Sequence, residues 1–512
     1  MRLRVALAIS AASGFVALAY EIVWYRVLSV MTRGVASSFG LLLDAYLLGL
    51  AVGARASTVF CRDAGKTGDA PELRALALFV GVANVVAAGV VPAFAWSARL
   101  TDYRVGLGMV AVGAGLLGSV LPLVSHFGID PDDRAGARLS YVYLANILGS
   151  AAGSLVTGFV LMDRLHLVAI ARLLVALGLG LVAPLIALGR FRRGAAAVAY
   201  LALGACALAA LASVPALYDR VYERIIYKNE FDGSQRFSRI VENKNGVIAV
   251  AEDGTVYGGG AYDGVVNTSL RSNVNGIVRA YVAGALHPAP RDVLLIGLAS
   301  GSFATVISQL PGVERLTVLD INPGYTEVIA AYPEVRGILG DPKVTFVFDD
   351  GRRWLARHDD PRFDLIFMNT THHWRAHITN LLSVEFMELA RRHLAPGGVF
   401  YFNTTDSFDV QQTAARTFPY LWRITNFVAV SDSPFRFDRD RWRWLLATMR
   451  LGPKPVLDLA RDEDRKLYDE LCTFNDIEPR DSILERTKDA TVITDDNMVV
   501  EWRQPLRYPD LH

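Results

Sequence analysis

Seven apolar runs, each long enough to cross a bilayer, fill the first 214 residues, and nothing like them follows. They are Val5–Val30, Phe39–Phe60, Ala75–Trp96, Val105–Phe127, Tyr141–Met162, Leu167–Leu188 and Ala195–Val214. A bilayer core takes about 20 apolar residues per helix, so the pattern predicts a polytopic membrane bundle of about seven spans, a multi-pass protein of the cell membrane. The same stretch holds a single lysine, Lys66, and small residues such as Gly149, Ala152, Gly153 and Gly158 that suit close helix packing in lipid. Glu21 and Asp44 lie inside runs, where charge is costly. Both are expected to turn inward toward a partner, with Tyr20, Arg26, Tyr46 and Asn146 as candidates. After Pro215 charge appears at once, with Asp219, Arg220, Glu223 and Arg224. The organisation read from this is 1–216 membrane domain, 217–290 small β-rich subdomain, 291–450 α/β domain and 451–512 C-terminal extension, with no function legible in the last.

The net charge of +1 excludes a strong pull toward nucleic acid. Cys61, Cys206 and Cys472 are too scattered for a disulfide framework or a zinc site. Basic residues favour the N-terminal side of the membrane as cytoplasmic. Seven spans would then put the C-terminal half outside, whereas a nucleotide site argues for the cytoplasm, and that argument is given precedence.

Between Tyr222 and Tyr262 short β-rich runs alternate with Asn245-Gly246, Asp253-Gly254 and, just beyond, Asp263-Gly264, which are hairpin signals. From Arg291 the period changes. Val293–Ile296, Leu316–Leu319, Val344–Phe348, Leu365–Met368 and Val399–Phe402 read as buried strands. Phe303–Gln309, Gly324–Ala331 and Val384–His393 read as helices between them. This predicts a parallel, doubly wound sheet, with Phe427–Val430 and Trp444–Thr448 as further strands.

The first strand runs into Gly297-Leu298-Ala299-Ser300-Gly301-Ser302 and then a helix. Glycines there let the backbone approach a ligand, and the helix start offers free N–H groups. Alone, the motif is equally an ordinary tight turn. The second strand ends in Asp320, placed to accept both hydroxyls of a ribose, and the third in Asp349-Asp350-Gly351, placed to accept from an adenine amine. Either acid alone could be a helix N-cap; their occurrence at successive strand ends points to nucleoside binding.

In this order the motifs resemble the spermidine synthase family of aminopropyltransferases: Leu294-Leu295-Ile296-Gly297, Val318-Leu319-Asp320-Ile321-Asn322, Asp349-Asp350-Gly351, Phe363-Asp364-Leu365-Ile366 and the upstream Tyr262-Asp263-Gly264. Ser13-Gly14-Phe15, Tyr20-Glu21, Leu48-Gly49-Leu50 and Asp495-Asp496 resemble its membrane-fused branch. The resemblance implies a Rossmann-like, S-adenosylmethionine-dependent transferase fold with a small N-terminal β-subdomain. It implies decarboxylated S-adenosylmethionine as donor. Asp320 would hold the ribose, Asp350 the adenine, Gly297 and Gly301 would pass the thioether side, with Ser300 in the same turn, and Asn267 would sit near a donor-binding glutamine of the family.

The departures fall on the acceptor side. Where the family has an acid in its glycine turn this chain has Ser300; where it has a catalytic aspartate and a further acid it has Asn369 and His372; and Asn275-Gly276-Ile277 replaces its Tyr-His-Glu. An amide can orient an amine but cannot take its proton. The loop Asn369–His377 instead brings His372, His373, Arg375 and His377 together, with a histidine as candidate base and Arg375 as candidate anchor of an anionic acceptor. A protonated His372 would repel a diamine. Metal binding is not expected, because the histidines lack neighbouring acids. The reading is therefore a membrane-bound transferase whose acceptor is a small molecule, amphiphilic or otherwise, and not putrescine, with membrane lipid around it and room for a homo-oligomer. Methyl transfer from intact S-adenosylmethionine and a non-catalytic nucleoside-binding sensor or transporter are the alternatives.

Overall fold

A computed structural model describes residues 3–61, 70–100, 103–188, 193–360, 362–369 and 372–503. Lys66, and Thr370 and Thr371 of the loop Asn369–His377, lie outside them. The chain forms two compact units: Met1–Thr32, Ser37–Arg236 and Glu242–Gly246 in the first, Arg33–Ala36, Phe237–Val241 and Val247–His512 in the second.

The first unit contains seven helices long and apolar enough to cross a membrane, Leu3–Met31, Ser37–Cys61, Leu76–Leu100, Arg104–Gly128, Ala135–Arg164, Leu167–Leu188 and Gly194–Leu217. Small residues set their spacing. A Cβ at Gly149 or Gly153 would run into the backbone of Ala11 or Phe15 on the first helix, and one at Gly49 or Gly53 into Ala111 or Gly115. Glu21 is buried as expected. Asp44 is not: it is exposed. Its helix buries Ser38, Leu42, Tyr46, Gly49 and Gly53, a stripe with which the carboxylate is out of phase. Arg26 donates to the Asn243 carbonyl, and Asn146 donates to the Ser10 carbonyl at 3.1 Å. Residues 217–236, read from sequence as the start of the β-subdomain, pack with this unit and include a helix, Val221–Tyr227.

In the second unit β1 (Phe237–Asn243), β2 (Gly246–Ala251), β3 (Thr255–Gly258) and β4 (Ala261–Val265) form a four-stranded sheet in sequential order. The main sheet holds β5 (Asp292–Ile296), β6 (Arg315–Asp320), β7 (Val344–Phe348), β8 (Phe363–Met368), β9 (Leu394–Asn403), β10 (Tyr420–Ile424) and β11 (Phe427–Ser431). Further on, β12 (Arg450–Leu451) and β13 (Lys454–Pro455) make a separate short ladder, and β14 (Ile477–Pro479) returns to the main sheet. The order is β14-β10-β11-β9-β8-β5-β6-β7. Strands β5 to β9 run parallel, while β11 is antiparallel to β9 and β10 to both its neighbours.

Alternate residues of β5 enter different cores. Val293 and Leu295 pack with Val318, Leu365 and Phe367; Leu294 and Ile296 pack with Leu319, Ile366 and Met368. Both faces of the sheet are thus buried, which explains the continuous apolar runs of its strands. The switch in strand order lies between β5 and β8, and a doubly wound sheet opens its ligand crevice beside such a switch.

One expected strand is corrected. Trp444–Thr448 is not a strand but the end of a helix, Arg439–Thr448. Asp438 caps it by accepting from the Asp440 and Arg441 N–H groups, and Trp442, Leu445 and Leu446 form its buried face. The tail beyond Gly452 is bonded to the rest of the second unit. Its β14 pairs with β10, Asp495 forms an ion pair with Arg352 at 2.5 Å, and Glu501 accepts from the N–H groups of His377 (2.9 Å) and Thr379 (2.8 Å).

Candidate functional site

At the end of β5 the chain turns through Gly297, Ala299 and Gly301, all with positive φ (96°, 45° and 74°). Glycine takes this conformation without strain; Ala299 does not. The Gly297 N–H donates to the Leu319 carbonyl and the Gly301 N–H to the Leu298 carbonyl, so the turn is a rigid arc over the end of β6. Asp320 holds it from below. One carboxylate oxygen accepts from the Leu298 N–H at 2.7 Å, the other from the Asn322 N–H at 2.8 Å. Burial pushes the Asp320 pKa up to about 7, against the pull of those backbone donors.

Ser300 is buried, and its hydroxyl donates to Ser302 at 2.9 Å. Ser302 donates in turn to the Val265 carbonyl and accepts from the Asn267 N–H, tying the turn to the end of β4. The Asn267 side chain organises its own loop, donating to the Ser269 and Val274 carbonyls. At the end of β7, Asp350 caps the helix Gly351–Arg357, accepting from the Arg353 N–H at 2.7 Å. The neighbouring Asp349 pairs with the Arg353 side chain, which holds its carboxyl below the usual range.

A cavity of about 290 Å³ lies beyond the ends of β8 and β9, lined by Tyr262, Asp263, Asn275, Arg279, Asn369, His372, Asn403, Thr405, Asp406 and Asn426. Its wall is a ladder of amides. Asn403 donates to Asn369 at 3.2 Å and accepts from Asn426 at 3.1 Å, and Asn426 accepts from Arg279 at 2.9 Å. Asn369 is pinned by its N–H on the Ile296 carbonyl, at the root of the glycine turn. Three lining residues, Asn275 (φ 62°), Thr405 (φ 44°) and Asp406 (φ 60°), hold left-handed backbone that non-glycine residues adopt at a cost of about 1–3 kcal/mol, the kind of strain that collects at functional sites.

The acids of the cavity are Asp263 and Asp406. Asp263 accepts from the Tyr325 hydroxyl, and burial raises its pKa against the pull of that bond and of Arg375. Arg375 does not line the cavity. Its guanidinium is close enough to Gly34 and Gly259 that a Cβ on either would crowd it, and burial lowers its pKa. His372 does line it, stacked on Trp374 at 5.1 Å between centroids. Burial, followed by the charge of Arg375, lowers its pKa to about 4. The ring is therefore neutral at neutral pH: it does not repel a cationic acceptor, and it is a weak proton acceptor. His373 bonds Thr405 Oγ1 through Nδ1 at 2.7 Å, and burial lowers its pKa as well.

The loop thus divides, with Asn369 and His372 in the cavity, His373 behind the Thr405 turn and Arg375 behind Asp263. Reading from sequence missed Arg279, Asn403, Thr405, Asp406 and Asn426. The signal was available for Asn403–Asp406, which follow the fifth parallel strand at its carboxyl end.

A glycine turn on β5, an acid closing β6, and a polar cavity at the ends of β8 and β9 belong to an α/β fold of the Rossmann type. Residues 279–418 match the family model described as the spermine/spermidine synthase domain. A polyamine aminopropyltransferase of Corynebacterium efficiens is 27% identical over 452 residues, covering 84% of this chain and 80% of its own. One from Streptococcus pneumoniae is 26% identical over 221 residues, covering 36% of this chain and 77% of its own. The spermidine synthase structure from Thermotoga maritima superimposes with a TM-score of 0.37 at 14% identity, over 49% of this chain and 88% of that one. Over its α/β unit the chain is thus similar to the spermidine synthase domain.

Proposed function

We propose that this protein transfers an aminopropyl group from decarboxylated S-adenosylmethionine to an amine other than putrescine, in the membrane and with the α/β unit facing the cytoplasm. The observation that carries the reading is the join between its two halves. The Asn369 N–H is bonded to the end of β5, where the glycine turn begins, so an acceptor in the amide-walled cavity lies beside a donor on the turn. Asp320, with both oxygens already oriented by backbone N–H groups, is the ribose ligand, and the second oxygen of Asp350 is free of its capping bond to meet an adenine amine. The names of the aminopropyltransferases that the chain resembles support the same reaction.

The departure from putrescine follows from Asn369. Attack by an amine needs that amine deprotonated, and a general base contributes about 10²–10⁴-fold. An asparagine bonded to another asparagine supplies orientation without proton uptake. The test is by-product analysis of purified full-length protein with each donor and a mixed amine extract. Methylthioadenosine is the expected by-product. S-adenosylhomocysteine would mean methyl transfer instead, and neither product would leave a nucleoside-binding role.

A further inference from the structure

Arg279 reaches the cavity from the short helix Val278–Val282. A guanidinium carries five N–H donors. Here Nε donates to the Gly276 carbonyl at 2.9 Å, Nη1 to Asn426 Oδ1 at 2.9 Å, and Nη2 to the Asn275 carbonyl. These three neutral acceptors fix its plane and leave two donors. The group lies over the rings of Phe427 (4.8 Å) and Phe303 (5.7 Å), and burial lowers its pKa. Among the described residues no carboxylate forms an ion pair with it. Asp406 acts on it only at longer range, from an exposed turn. A cation held this firmly, partly desolvated and not neutralised, is costly unless something anionic meets it. Elsewhere on the cavity wall Asn369 Oδ1 and the carboxylates of Asp263 and Asp406 present oxygen acceptors, which suit an amine.

We infer that the acceptor is a zwitterion, an amine bearing a carboxylate a few bonds away, with the carboxylate on Arg279 and the amine turned to Asn369. This rests on the aminopropyl-transfer reading and names its substrate class. The amine lone pair attacks the propyl carbon next to the sulfonium. A C–N bond forms and the C–S bond breaks, its electron pair going to sulfur as the thioether of methylthioadenosine. The proton lost by the amine passes to water at the cavity mouth. Arg279 is a specificity residue in this scheme, because it binds the part of the acceptor that does not react.

L-ornithine and putrescine differ by one carboxylate, which makes them the probe pair. Full-length protein in detergent is given the donor and each amine, and methylthioadenosine is followed. The expected result is a kcat/KM for ornithine at least about tenfold above that for putrescine. Arg279→Gln should lower the ornithine value by about ten- to a hundredfold, mainly through KM, and Arg279→Lys should recover part of it. Alongside, ornithine should raise the Tm of the methylthioadenosine-bound wild type and not of Arg279→Gln. Putrescine used as well as ornithine by the wild type overturns the inference and leaves aminopropyl transfer standing. So does a Gln variant with the wild-type Tm and an unchanged preference. Should neither amine yield methylthioadenosine, the transfer reading falls, and the Tm shift still decides whether Arg279 holds a carboxylate: a shift abolished in the Gln variant upholds the carboxylate site, and no shift in the wild type overturns it.

Discussion

The two ends of the site are built from different materials. At the nucleoside end the geometry is made by backbone: positive-φ turns, N–H groups on Asp320, and a helix cap at Asp350. At the acceptor end it is made by side chains, an amide ladder from Asn369 to Asn426 that ends on Arg279. Backbone arrangements tolerate sequence change, because many side chains share one φ/ψ path. A ladder of amides does not, since each rung is both donor and acceptor and one substitution reverses a bond. In the proposed reading the nucleoside end carries the motifs that resemble the family, while the departures Asn369 and His372 line the acceptor end.

The sharpest way to break that contrast is to return an acid to the acceptor end. Asn369→Asp keeps an oxygen to accept from Asn403 and adds a base, so it should raise any trace of spermidine formation from putrescine by about 10²-fold or more. Quantified spermidine that stays at the wild-type level would show that the missing acid is not what bars the diamine. At the other end, Asp320→Ala should weaken a calorimetrically measured adenosine ligand by about ten- to a hundredfold, the cost of losing hydrogen bonds to a charged group. A folded variant with unaltered affinity would remove Asp320 from the site.

A smaller effect is expected from pH. With a pKa near 7 in the folded protein, Asp320 is partly protonated below neutrality, and ribose hydroxyls donate best to its ionised form. Affinity should rise as pH climbs through about 7, by roughly tenfold from pH 6 to pH 8, and flatten above, with Asp320→Asn showing no such rise. The sign for stability is opposite. The folded state binds this proton more tightly than the unfolded chain, so the contribution favours folding at low pH and is lost as pH rises from the ordinary carboxylate range through about 7. Least of all should Asp349→Asn matter. Its partner Arg353 is exposed, such pairs are worth about 0–1 kcal/mol, and donor affinity should hold within about twofold. A larger loss would move the adenine contact from Asp350 to Asp349.

What could be read in the sequence follows the same division. The strands β5 to β9, the seven long apolar helices, the glycine turn and the place of Asp320 at the end of β6 are all legible, because each is a local pattern with one physical cause. Arg279 and Asn426 are not, since nothing near either in sequence marks it and only the sheet brings them together. Arg375 misled for the converse reason: in a polar loop an arginine reads as a surface anchor, whereas here its charge is spent on a buried neighbourhood with Asp263. Trp444–Thr448 misled because a short apolar run ending in a threonine shows no period, and the capping aspartate that starts the helix lies six residues earlier.

The short segment Arg33–Ala36 belongs to the second unit, where Val35 bridges to Arg375 and the Ala376 N–H bonds the Gly34 carbonyl. Chains emerge N-terminus first, and contacts between distant residues form late. The loop that carries His372 therefore has its β-bridge only when two parts of the chain far apart in sequence meet. A single cut between the halves would strand that segment on the wrong piece. The α/β unit is in this sense a discontinuous domain.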